Sequence, residues 1–390
     1  MFSRGVCTPL DAPFFNRKKI ISEVNVDAIL LHDLSVEEGL IRPLVCLTLN
    51  PPRHRVKIEP QKTGEEVCSQ MPTLFLGKNE VLPLLDMKEI IPAVEDAFRQ
   101  WALGQAQMPP KSYLTVDKGD FRAMPASLTG AAGLKWVNVH PGNPSRNLPT
   151  VMAIIIYNDP ATGYPLAVMD GTDITAYRTG AASAVASKYL ARQNPKTLGL
   201  VGAGRQAYTQ LMAHAAIYDL QLIRVYDISP ASTERLIRAF PQHRIEAHTL
   251  PDVLASDIVC TVTPAHQPVV KKEWVRPGVH INAVGADAHG KEELDPEILN
   301  EAIIFVDDMR QASTSGEINV PLDRGLLDPR RIRGSLSDLV GGLKTGRTSD
   351  KEITVFDSTG LAIEDIACAR LIYEKVKDKE GYTRLNFIEG

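Results

Sequence analysis

The chain of 390 residues lacks the sequence patterns of several large protein classes. Its five cysteines are odd in number and include no C-x-x-C pair, which argues against a disulfide framework and for a reduced, cytoplasmic protein. Basic and acidic residues nearly balance, 43 against 47, and no block of like charge is present to bind nucleic acid or a membrane surface. The longest apolar run, 151–157, is far shorter than a membrane span. We therefore expect neither nucleic acid nor a membrane as a partner.

The common motifs of metal sites and hydrolytic sites are missing as well. The nine histidines show no H-E-x-x-H spacing, and the sequence contains no serine nucleophile elbow and no Walker loop. The stretch D-G-T-D at 170–173 resembles an EF-hand loop only superficially, because the glutamate and the spacing of that loop are missing. We therefore predict no metal site.

Residues 1–70 differ in texture from the rest of the chain. They contain a proline-rich, basic patch at 51–55 and no sustained helical or strand period. From Met71 onward, a short strand at 74–76 and a helical pattern from Asp86 have the character of a globular domain. We expect Met71 to be the natural start of the protein and the preceding segment to be an extension. A genuine accessory segment is the alternative.

The remaining sequence predicts an α/β fold in two parts. Strand-like runs separated by turn signals occupy 113–169, and an alanine-rich helix is expected over 179–192. Residues 197–310 then alternate apolar strands with helical patterns, which implies a parallel sheet covered on both faces. The tail contains helix, strand and helix, and we expect it to pack on the first part. The predicted organisation is thus a Rossmann-type domain, 193–324, inserted into an α+β domain that comprises 71–192 and 325–390.

A glycine-rich loop is the clearest motif of the alternating region. It follows the apolar strand 197–201 and opens a helix expected over 206–217. Glycines allow the backbone to approach a pyrophosphate, and the N-terminus of the helix presents free N–H groups and a positive dipole end. The strand before the loop and the helix after it make the assignment specific, because a G-x-G-x-x-G pattern alone is weak evidence. The loop residues predicted to bind a dinucleotide are Gly202, Ala203, Gly204, Arg205, Gln206 and Ala207.

An acid at the end of the next strand indicates which dinucleotide binds. Asp227 lies about 20 residues beyond the loop, where a carboxylate accepts hydrogen bonds from the ribose hydroxyls. The same carboxylate would repel a 2′-phosphate, so we predict NAD rather than NADP, although Arg205 could assist a phosphate. An enzyme that transfers a hydride is the leading class.

Three basic residues in apolar, strand-like surroundings form the candidate chemical site. Lys111, Arg122 and Lys135 would be costly to bury unless they were paired or bound to an anion. The surroundings of Lys135, beside a tryptophan, are also those that lower the pKa of a lysine into a catalytic range. Each residue alone could be an ordinary surface cation. Together they predict a pocket for a small carboxylate, with Arg122 suited to bidentate binding.

An acid on the other side of the predicted cleft completes this site. Asp287 comes just after the strand 280–284, at the edge where open α/β sheets bind their ligands. It is a candidate site acid, and a turn or helix-capping aspartate is the alternative interpretation.

Taken together, these stretches resemble the ornithine cyclodeaminase/mu-crystallin superfamily from about Met71 to the C-terminus. Within the superfamily, the runs 107–111 and 136–144 most resemble the archaeal-type L-alanine dehydrogenases. The other matching motifs are R-A-M-P at 122–125, L-K-W-V-N at 134–138, L-P-T-V at 148–151, R-T-G-A-A at 178–182, the glycine-rich loop, T-V-T-P at 261–264, the stretch 280–287, residues 291–295 and D-S-T-G at 357–360.

The resemblance implies roles for most of the residues already named. It implies a homodimer whose first domains, which bind the substrate, pair through their sheets, and NAD lying over the glycine-rich loop. It places the substrate carboxylate on Arg122 and Lys111 and assigns proton chemistry to Lys135 and Asp287. The residues that the resemblance adds to the cleft are Thr150 and Arg178 on the substrate side and Thr263 on the cofactor side.

The resemblance leaves four activities open. The first is reversible, NAD-dependent oxidation of L-alanine to pyruvate and ammonia, through an imine that water hydrolyses. The others are cyclisation of L-ornithine to L-proline with loss of ammonia, reduction of cyclic imines or ketimines, and ligand binding without catalysis. Cyclodeaminases hold the substrate's δ-ammonium with an acid between the motif arginine and lysine, but residues 123–134 contain no acid. Because an unpaired buried ammonium is costly, we predict a small apolar side chain and hence alanine.

Overall fold

The structure is a computed structural model that describes residues 72–386 of the chain. The expectations for residues 1–70 therefore lie outside the described residues. Within residues 72–386, no helix is long and apolar enough to cross a membrane. The strands are β1 (Thr73–Leu76), β2 (Ser112–Val116), β3 (Gly119–Leu128), β4 (Ala131–Val139), β5 (Val151–Asn158), β6 (Pro165–Asp170), β7 (Thr197–Val201), β8 (Leu222–Tyr226), β9 (Ile245–Ala247), β10 (Ile258–Thr261), β11 (His266–Val270), β12 (His280–Ala283), β13 (Glu292–Leu294), β14 (Ile303–Val306), β15 (Ile332–Ser335), β16 (Thr354–Asp357) and β17 (Thr383–Leu385).

Helices connect and cover these strands. The α-helices are α1 (Lys78–Val81), α2 (Met87–Ala102), α3 (Thr172–Leu190), α4 (Arg205–Ile217), α5 (Pro230–Ala239), α6 (Leu250–Val253), α7 (Pro296–Glu301), α8 (Met309–Ser315), α9 (Asn319–Asp323), α10 (Leu336–Val340) and α11 (Ala362–Val376). Short 3-10 turns cover Leu82–Leu84, Asn143–Arg146, Lys272–Trp274 and Pro329–Arg331.

The first sheet has seven strands in the order β17-β1-β6-β5-β4-β3-β2. Strands β2 to β6 form an antiparallel meander, and β1 joins β6 in parallel. Alternate residues of a strand point to the same face. Since Arg122 pairs with Val137 and Met124 with Lys135, these four side chains share one face of β3 and β4. Trp136 belongs to the opposite face and is 41% exposed.

The second sheet has eight strands, all paired in parallel, in the order β15-β14-β16-β12-β10-β7-β8-β9. The five strands predicted between residues 197 and 307 are all present. Strands β10, β12 and β16 are buried along their whole length, as expected for the central strands of a parallel sheet that is covered on both faces. The predicted α/β class is thus observed.

The tail of the chain differs from expectation. We expected residues 325–390 to pack on the first part, but β15 and β16 belong to the second sheet, where β16 lies between β12 and β14. The other α-helices and strands of the tail follow the expectation, because α10 packs on α2, α11 packs on α2, β3 and β4, and β17 pairs with β1 in the first sheet. The short strand β16 is fully apolar apart from its ends, and such a strand is most stable at the centre of a parallel sheet, covered on both sides.

The alanine-rich helix α3 begins at Thr172, seven residues before the predicted start at Thr179. The carboxylate of Asp170 accepts hydrogen bonds from the backbone N–H groups of Thr172 and Asp173, so the D-G-T-D stretch starts the helix. The helix is buried on nearly every side and packs against α2, α4, β12 and β16. Small residues permit this close packing, and the helix carries Arg178 between the two sheets.

Candidate active site

A cavity of about 360 Å³ lies between the face of β3 and β4 and the C-terminal edge of the second sheet. Parallel sheets bind ligands at this edge, where β7, β10, β12 and β16 all end. The cavity is lined by Lys111, Arg122, Met124, Lys135, Val137, Val139, Thr150, Val151, Thr175, Arg178, Thr179, Gly204, Arg205, Gln206, Val262, Thr263, Pro264, Val284, Gly285, Asp287, Lys291, Ser358, Thr359 and Gly360. The structure thus brings together residues that lie up to about 250 positions apart in the sequence.

The glycine-rich loop has the geometry that a dinucleotide requires. Gly202 has φ +103°, a conformation that residues with a side chain rarely adopt, and a Cβ there would meet the side chain of Val262 at 3.1 Å. Gly204 is the N-cap of α4, and no side chain caps the helix. The first N–H groups of the helix therefore have no side-chain cap, and Gly204, Arg205 and Gln206 line the cavity. These residues fit a bound pyrophosphate. Ala207 is fully buried inside α4, where it contributes packing.

Asp227 lies beside the loop, as predicted. The backbone N–H of Ala203 donates to its Oδ2 at 2.7 Å, and the N–H of Ser229 donates to its Oδ1 at 2.7 Å. These two bonds fix the carboxylate just after β8, next to the phosphate loop, at the position from which an acid meets the ribose of a dinucleotide.

Thr263 lies on the cavity wall but its polar groups are already engaged. Its N–H and its hydroxyl both donate to Oε1 of Glu293, at 2.7 and 2.8 Å. The second oxygen of Glu293 accepts from the hydroxyl of Thr261 and from the N–H of Gly285. Glu293 therefore holds together the two loops that follow β10 and β12.

Lys135 and Arg178 are held by a pair of buried acids at the start of α11. The Nζ of Lys135 lies 2.6 Å from Oδ2 of Asp365, and the Nε of Arg178 donates to the other oxygen at 3.0 Å. The Nη1 of Arg178 donates to Glu364 at 3.0 Å. The side chains of Asp365 and Glu364 are fully buried, and that of Lys135 is 1% exposed.

The protonation of Lys135 is finely balanced. Burial lowers the pKa of Lys135 to about 7, and the positive charge of Arg178 acts in the same direction, against the opposing charge of Asp365. A lysine with this pKa is present as both amine and ammonium near neutral pH, so it can accept and return a proton.

Arg122 and Asp287 are in contact in the lining of the cavity. Arg122 donates from Nε to Asp120 at 2.7 Å and from Nη1 to Asp287 at 3.2 Å. The Nζ of Lys291 donates to the other oxygen of Asp287 at 2.6 Å. Burial alone would raise the pKa of Asp287, but the charges of Lys291 and Arg122 outweigh it and hold the pKa at about 2. Asp287 is therefore a fixed negative charge at neutral pH.

Lys111 reaches the cavity from the loop before β2 and donates to the backbone carbonyl of Thr359 at 2.7 Å. Burial lowers its pKa to about 8, against the attraction of Asp307. Asp307 in turn accepts hydrogen bonds from the N–H groups of Thr359 and Gly360. Gly360 has φ +75°, and a Cβ there would meet Nη1 of Arg178 at 2.3 Å, so this turn needs glycine.

The wall beside Lys135 is apolar. Met124, Val137 and Val139 line it from the first sheet, and Thr150 and Val151 line it from the start of β5. Among the described residues, Asp287 is the one acid in the lining. Its charge is already shared by two cations, so the cavity offers no free carboxylate to a second ammonium group.

Sequence reasoning missed the acids that hold the site together. Asp120 lies two residues before Arg122 on the same face of β3, a spacing that could have indicated the pair. Asp365 falls in the helical stripe of Leu361, Cys368 and Ile372, and an acid in an apolar stripe is a signal of a buried ion pair. The partner of Asp365 lies 230 positions away, so the sequence alone could not identify it.

An uncapped helix at a glycine-rich loop, opposite a buried lysine and arginine, defines a dinucleotide-dependent enzyme of the α/β class. Over residues 71–380 the chain matches the ornithine cyclodeaminase/mu-crystallin family, and it belongs to that family.

Three proteins of known sequence or structure show what this chain is similar to within the family. Alanine dehydrogenase of Archaeoglobus fulgidus is 50% identical over 319 residues, which cover 81% of this chain and 99% of that protein. An archaeal alanine dehydrogenase dimer with bound NAD has a TM-score of 0.80 and 49% identity, covering 82% of this chain and 100% of the other. Delta(1)-pyrroline-2-carboxylate reductase of Thermococcus litoralis, solved with NADH and L-proline, has a TM-score of 0.77 and 39% identity, covering 80% and 99%.

These matches confirm the predicted family, the predicted fold class, the predicted class of NAD-dependent amino-acid dehydrogenase and NAD as the cofactor. Among the described residues, no group of three or more potential ligands is placed to hold a metal ion. The roles assigned to individual side chains, and the division into domains at residues 193 and 325, stay predictions.

Proposed function

We propose that this protein catalyses the reversible, NAD-dependent oxidative deamination of L-alanine to pyruvate and ammonia. One observation carries the choice of substrate. The cavity combines a lysine of near-neutral pKa with an apolar wall of Met124, Val137 and Val139 and no unpaired acid. A methyl side chain suits such a wall, whereas a side chain with a second ammonium would lie there without a partner. The 50% identity to an alanine dehydrogenase supports the same substrate.

Lys111 and Arg122 are the groups we assign to the substrate carboxylate. Lys111 is the lining cation whose Nζ contacts a backbone carbonyl in place of an acid, so a carboxylate would gain a charge partner there. Arg122 is oriented by Asp120 and keeps part of its guanidinium toward the cavity. Both arginines contact two acids, but those of Arg178 are fully buried whereas those of Arg122 are partly exposed, so we assign Arg178 to holding Lys135 and the cavity wall.

Lys135 is the proton carrier in this proposal, and Asp287 is a fixed charge. When bound, NAD supplies the acceptor for the hydride that leaves Cα of alanine. Neutral Lys135 accepts the proton that the substrate ammonium must lose before the C=N bond forms. Water then adds to the carbon of the protonated imine. Lys135 returns its proton to the nitrogen as ammonia leaves, and the two protons of the added water pass to solvent as its oxygen becomes the carbonyl oxygen of pyruvate. Asp287, with a pKa of about 2, is too weak a base to exchange protons at neutral pH, and we assign it to orienting the water.

Reduction of a cyclic imino acid is the second candidate. It is favoured by the 39% identity to a pyrroline-2-carboxylate reductase and by the same cationic cavity, which suits any 2-imino carboxylate. This reaction uses the hydride and one proton from Lys135 but requires no hydrolysis of the imine. Ornithine cyclisation is disfavoured by the apolar wall, and ligand binding without catalysis would not require Lys135 to be held at a near-neutral pKa.

A homodimer that pairs through the first sheet is also part of the proposal. The face of β4 and β5 that points away from the cavity exposes Trp136, Ile154 and Ile156, which are 41, 51 and 36% accessible. Apolar side chains in such a contiguous patch mark an interface. The relative solved with NAD is a dimer. A cytoplasmic location stays a prediction; Cys260 and Cys368 are buried free thiols, in accord with a reducing compartment.

A spectrophotometric screen tests the activity. Purified protein with NAD is offered L-alanine, L-ornithine and L-lysine in turn, and NADH formation is followed. In reverse, NADH is offered pyruvate with ammonia, and separately Δ1-pyrroline-2-carboxylate. We expect NADH from L-alanine and consumption of NADH with pyruvate and ammonia. Proline formed from ornithine, or turnover only with the cyclic imine, would overturn the choice of alanine.

A further inference from the structure

Asp365 stands out among the buried acids because it contacts Lys135 without reaching the cavity. It lies in the first turn of α11 and its side chain is fully buried, while Lys135 and Arg178 both line the cavity wall. The substrate and the cofactor therefore meet Lys135 but not the carboxylate behind it. Asp365 takes part in no step of the proposed reaction.

The two oxygens of Asp365 are divided between two cations. One lies 2.6 Å from Nζ of Lys135, and the other accepts from Nε of Arg178 at 3.0 Å. Arg178 cannot turn away, because Glu364 accepts from its Nη1. Glu364 is itself fixed by the N–H of Leu361, which donates to its other oxygen at 2.9 Å. The carboxylate of Asp365 is thus a rigid support at the N-terminus of α11, where the helix dipole also favours negative charge.

The charges around Lys135 make its protonation depend on the contact with Asp365. Arg178 and Lys111 both repel the ammonium form, and burial disfavours it further. Asp365 is the charged group that acts in the opposite direction and the one acid within 4 Å of Nζ among the described residues. Without it, burial and the charges of Arg178 and Lys111 would favour the neutral amine, and Nζ would lose its contact with a carboxylate.

We propose that Asp365 is the positioning residue of Lys135, which holds the ammonium form in place and aims Nζ at the cavity. The effect of Asp365 on catalysis rests on the proposed function of Lys135 as the proton carrier. The effect of Asp365 on the position and protonation of Lys135 does not depend on which substrate the enzyme uses. The positioning role and the proposed substrate can therefore fail separately.

Chemical labelling of Lys135 tests the inference without any turnover. Only the neutral amine reacts with acetic anhydride, so the extent of acetylation of Lys135 against pH, read by peptide mass spectrometry, reports its titration. In Asp365→Asn we expect the half-reaction pH to fall by about 1 to 3 pH units, as is typical when a neighbouring opposite charge is removed. Glu95→Gln is the control, since it also removes an acid paired with a lysine, but that lysine is Lys188 and lies away from the cavity, so the labelling curve of Lys135 should follow wild type.

Kinetics supplies the second measurement. If L-alanine is oxidised, the kcat profile of Asp365→Asn should have its lower limb displaced in the same direction, with the Kd of NAD unchanged. If Asp365→Asn does not fold, Asp365→Glu carries the test: it keeps the charge but moves the carboxylate, so the labelling curve should stay near wild type while kcat falls at least tenfold. A folded Asp365→Asn protein with an unchanged labelling curve, or an Asp365→Glu protein with unchanged kcat, would overturn the inference. A displaced labelling curve in an enzyme that ignores alanine would overturn only the proposed substrate.

Discussion

Two buried clusters of charge lie beside the same cavity and are built in opposite ways. The paired cluster comprises Lys135, Arg178, Glu364 and Asp365, two cations against two acids. The carboxylate cluster comprises Glu293, Glu317 and Asp357, and its members are bonded chiefly to backbone N–H groups and threonine hydroxyls. In the paired cluster each charge has an opposite charge beside it, whereas the acids of the carboxylate cluster have raised pKa values and no cation within 4 Å among the described residues.

The carboxylate cluster shows what happens to acids that are buried without a cation. Glu317 accepts from the N–H groups of Glu293 and Leu294, and Asp357 accepts from the N–H of Ile318 at 3.1 Å. Burial and the nearby negative charge of Asp307 raise the pKa of Asp357 to about 8. Burial raises the pKa of Glu293 as well, and burial together with the negative charges of Glu293 and Asp357 raises the pKa of Glu317. These acids hold the loops at the C-terminal edge of the second sheet, whereas the paired cluster is suited to proton chemistry.

The largest expected effect is on turnover, from Lys135→Met. Removing the proton carrier should lower kcat by about 10² to 10⁴-fold, the usual contribution of a general acid–base group, while the Kd of NAD changes little. Steady-state kinetics and NAD titration by fluorescence measure the two quantities. Lys188→Met is the control, because it removes another lysine paired with an acid, Glu95, but on the surface away from the cavity. Near-normal kcat in Lys135→Met would refute its assigned role.

The next effect is on stability, from Arg178→Met. The change leaves Asp365 paired with Lys135 alone and leaves Glu364 with no cation within 4 Å among the described residues. Breaking a buried pair in this way costs about 3 to 5 kcal/mol. Urea unfolding monitored by circular dichroism gives the free energy of unfolding. Arg370→Met, at an exposed arginine that donates to a backbone carbonyl of Thr129, should cost less than about 1 kcal/mol. Equal losses of unfolding free energy in the two variants would mean that Arg178 does not stabilise the buried acids as we infer.

The smallest effect is a pH dependence, from Asp357→Asn. Because the folded pKa of Asp357 is above its unfolded value, the folded state retains a proton that the unfolded state releases, so wild-type stability should fall as pH rises toward 8. Between about pH 7 and 9 this group should cost wild type about 1 kcal/mol that the variant does not lose. Besides burial, the charges of Asp307 and Glu293 raise the pKa of Asp357, against the hydrogen bonds that the backbone N–H groups of Glu317 and Ile318 donate to it.

Urea titrations at several pH values measure this difference. Asp378→Asn, at an exposed acid, is the control and should keep the wild-type slope. A variant slope equal to that of wild type would show that Asp357 is ionised throughout and that the carboxylate cluster is stabilised by groups other than protons.

The elements with strong local patterns could be predicted from the sequence. The strands β7, β8, β10, β12 and β14 and the glycine-rich loop all lie where apolar runs and turn residues placed them. The helix α3 was located but its start was misplaced, because an alanine-rich segment has no amphipathic period to mark where it begins. The sheet to which β16 belongs could not be predicted, since the neighbours of a parallel strand are usually strands that are distant in the sequence.

The candidate site divides in the same way. Lys111, Arg122, Lys135 and Asp287 were found as charges in apolar or strand-end positions, and the structure brings all four to one cavity. The acids that hold them, Asp120 and Asp365 among them, were missed. A charge in an apolar segment shows that a partner must exist, but the sequence does not show which residue it is.

The sequence by itself determined the cofactor edge of this protein, because a strand, a glycine-rich loop, a helix and an acid are all close in the chain and their geometry is local. It also determined that several cations would need partners. Only the tertiary structure decided which partners they have and how each cation titrates. The pKa of Lys135 near 7 results from burial, Arg178 and Asp365 together, and these come from three elements that meet only when the two sheets and α11 are assembled.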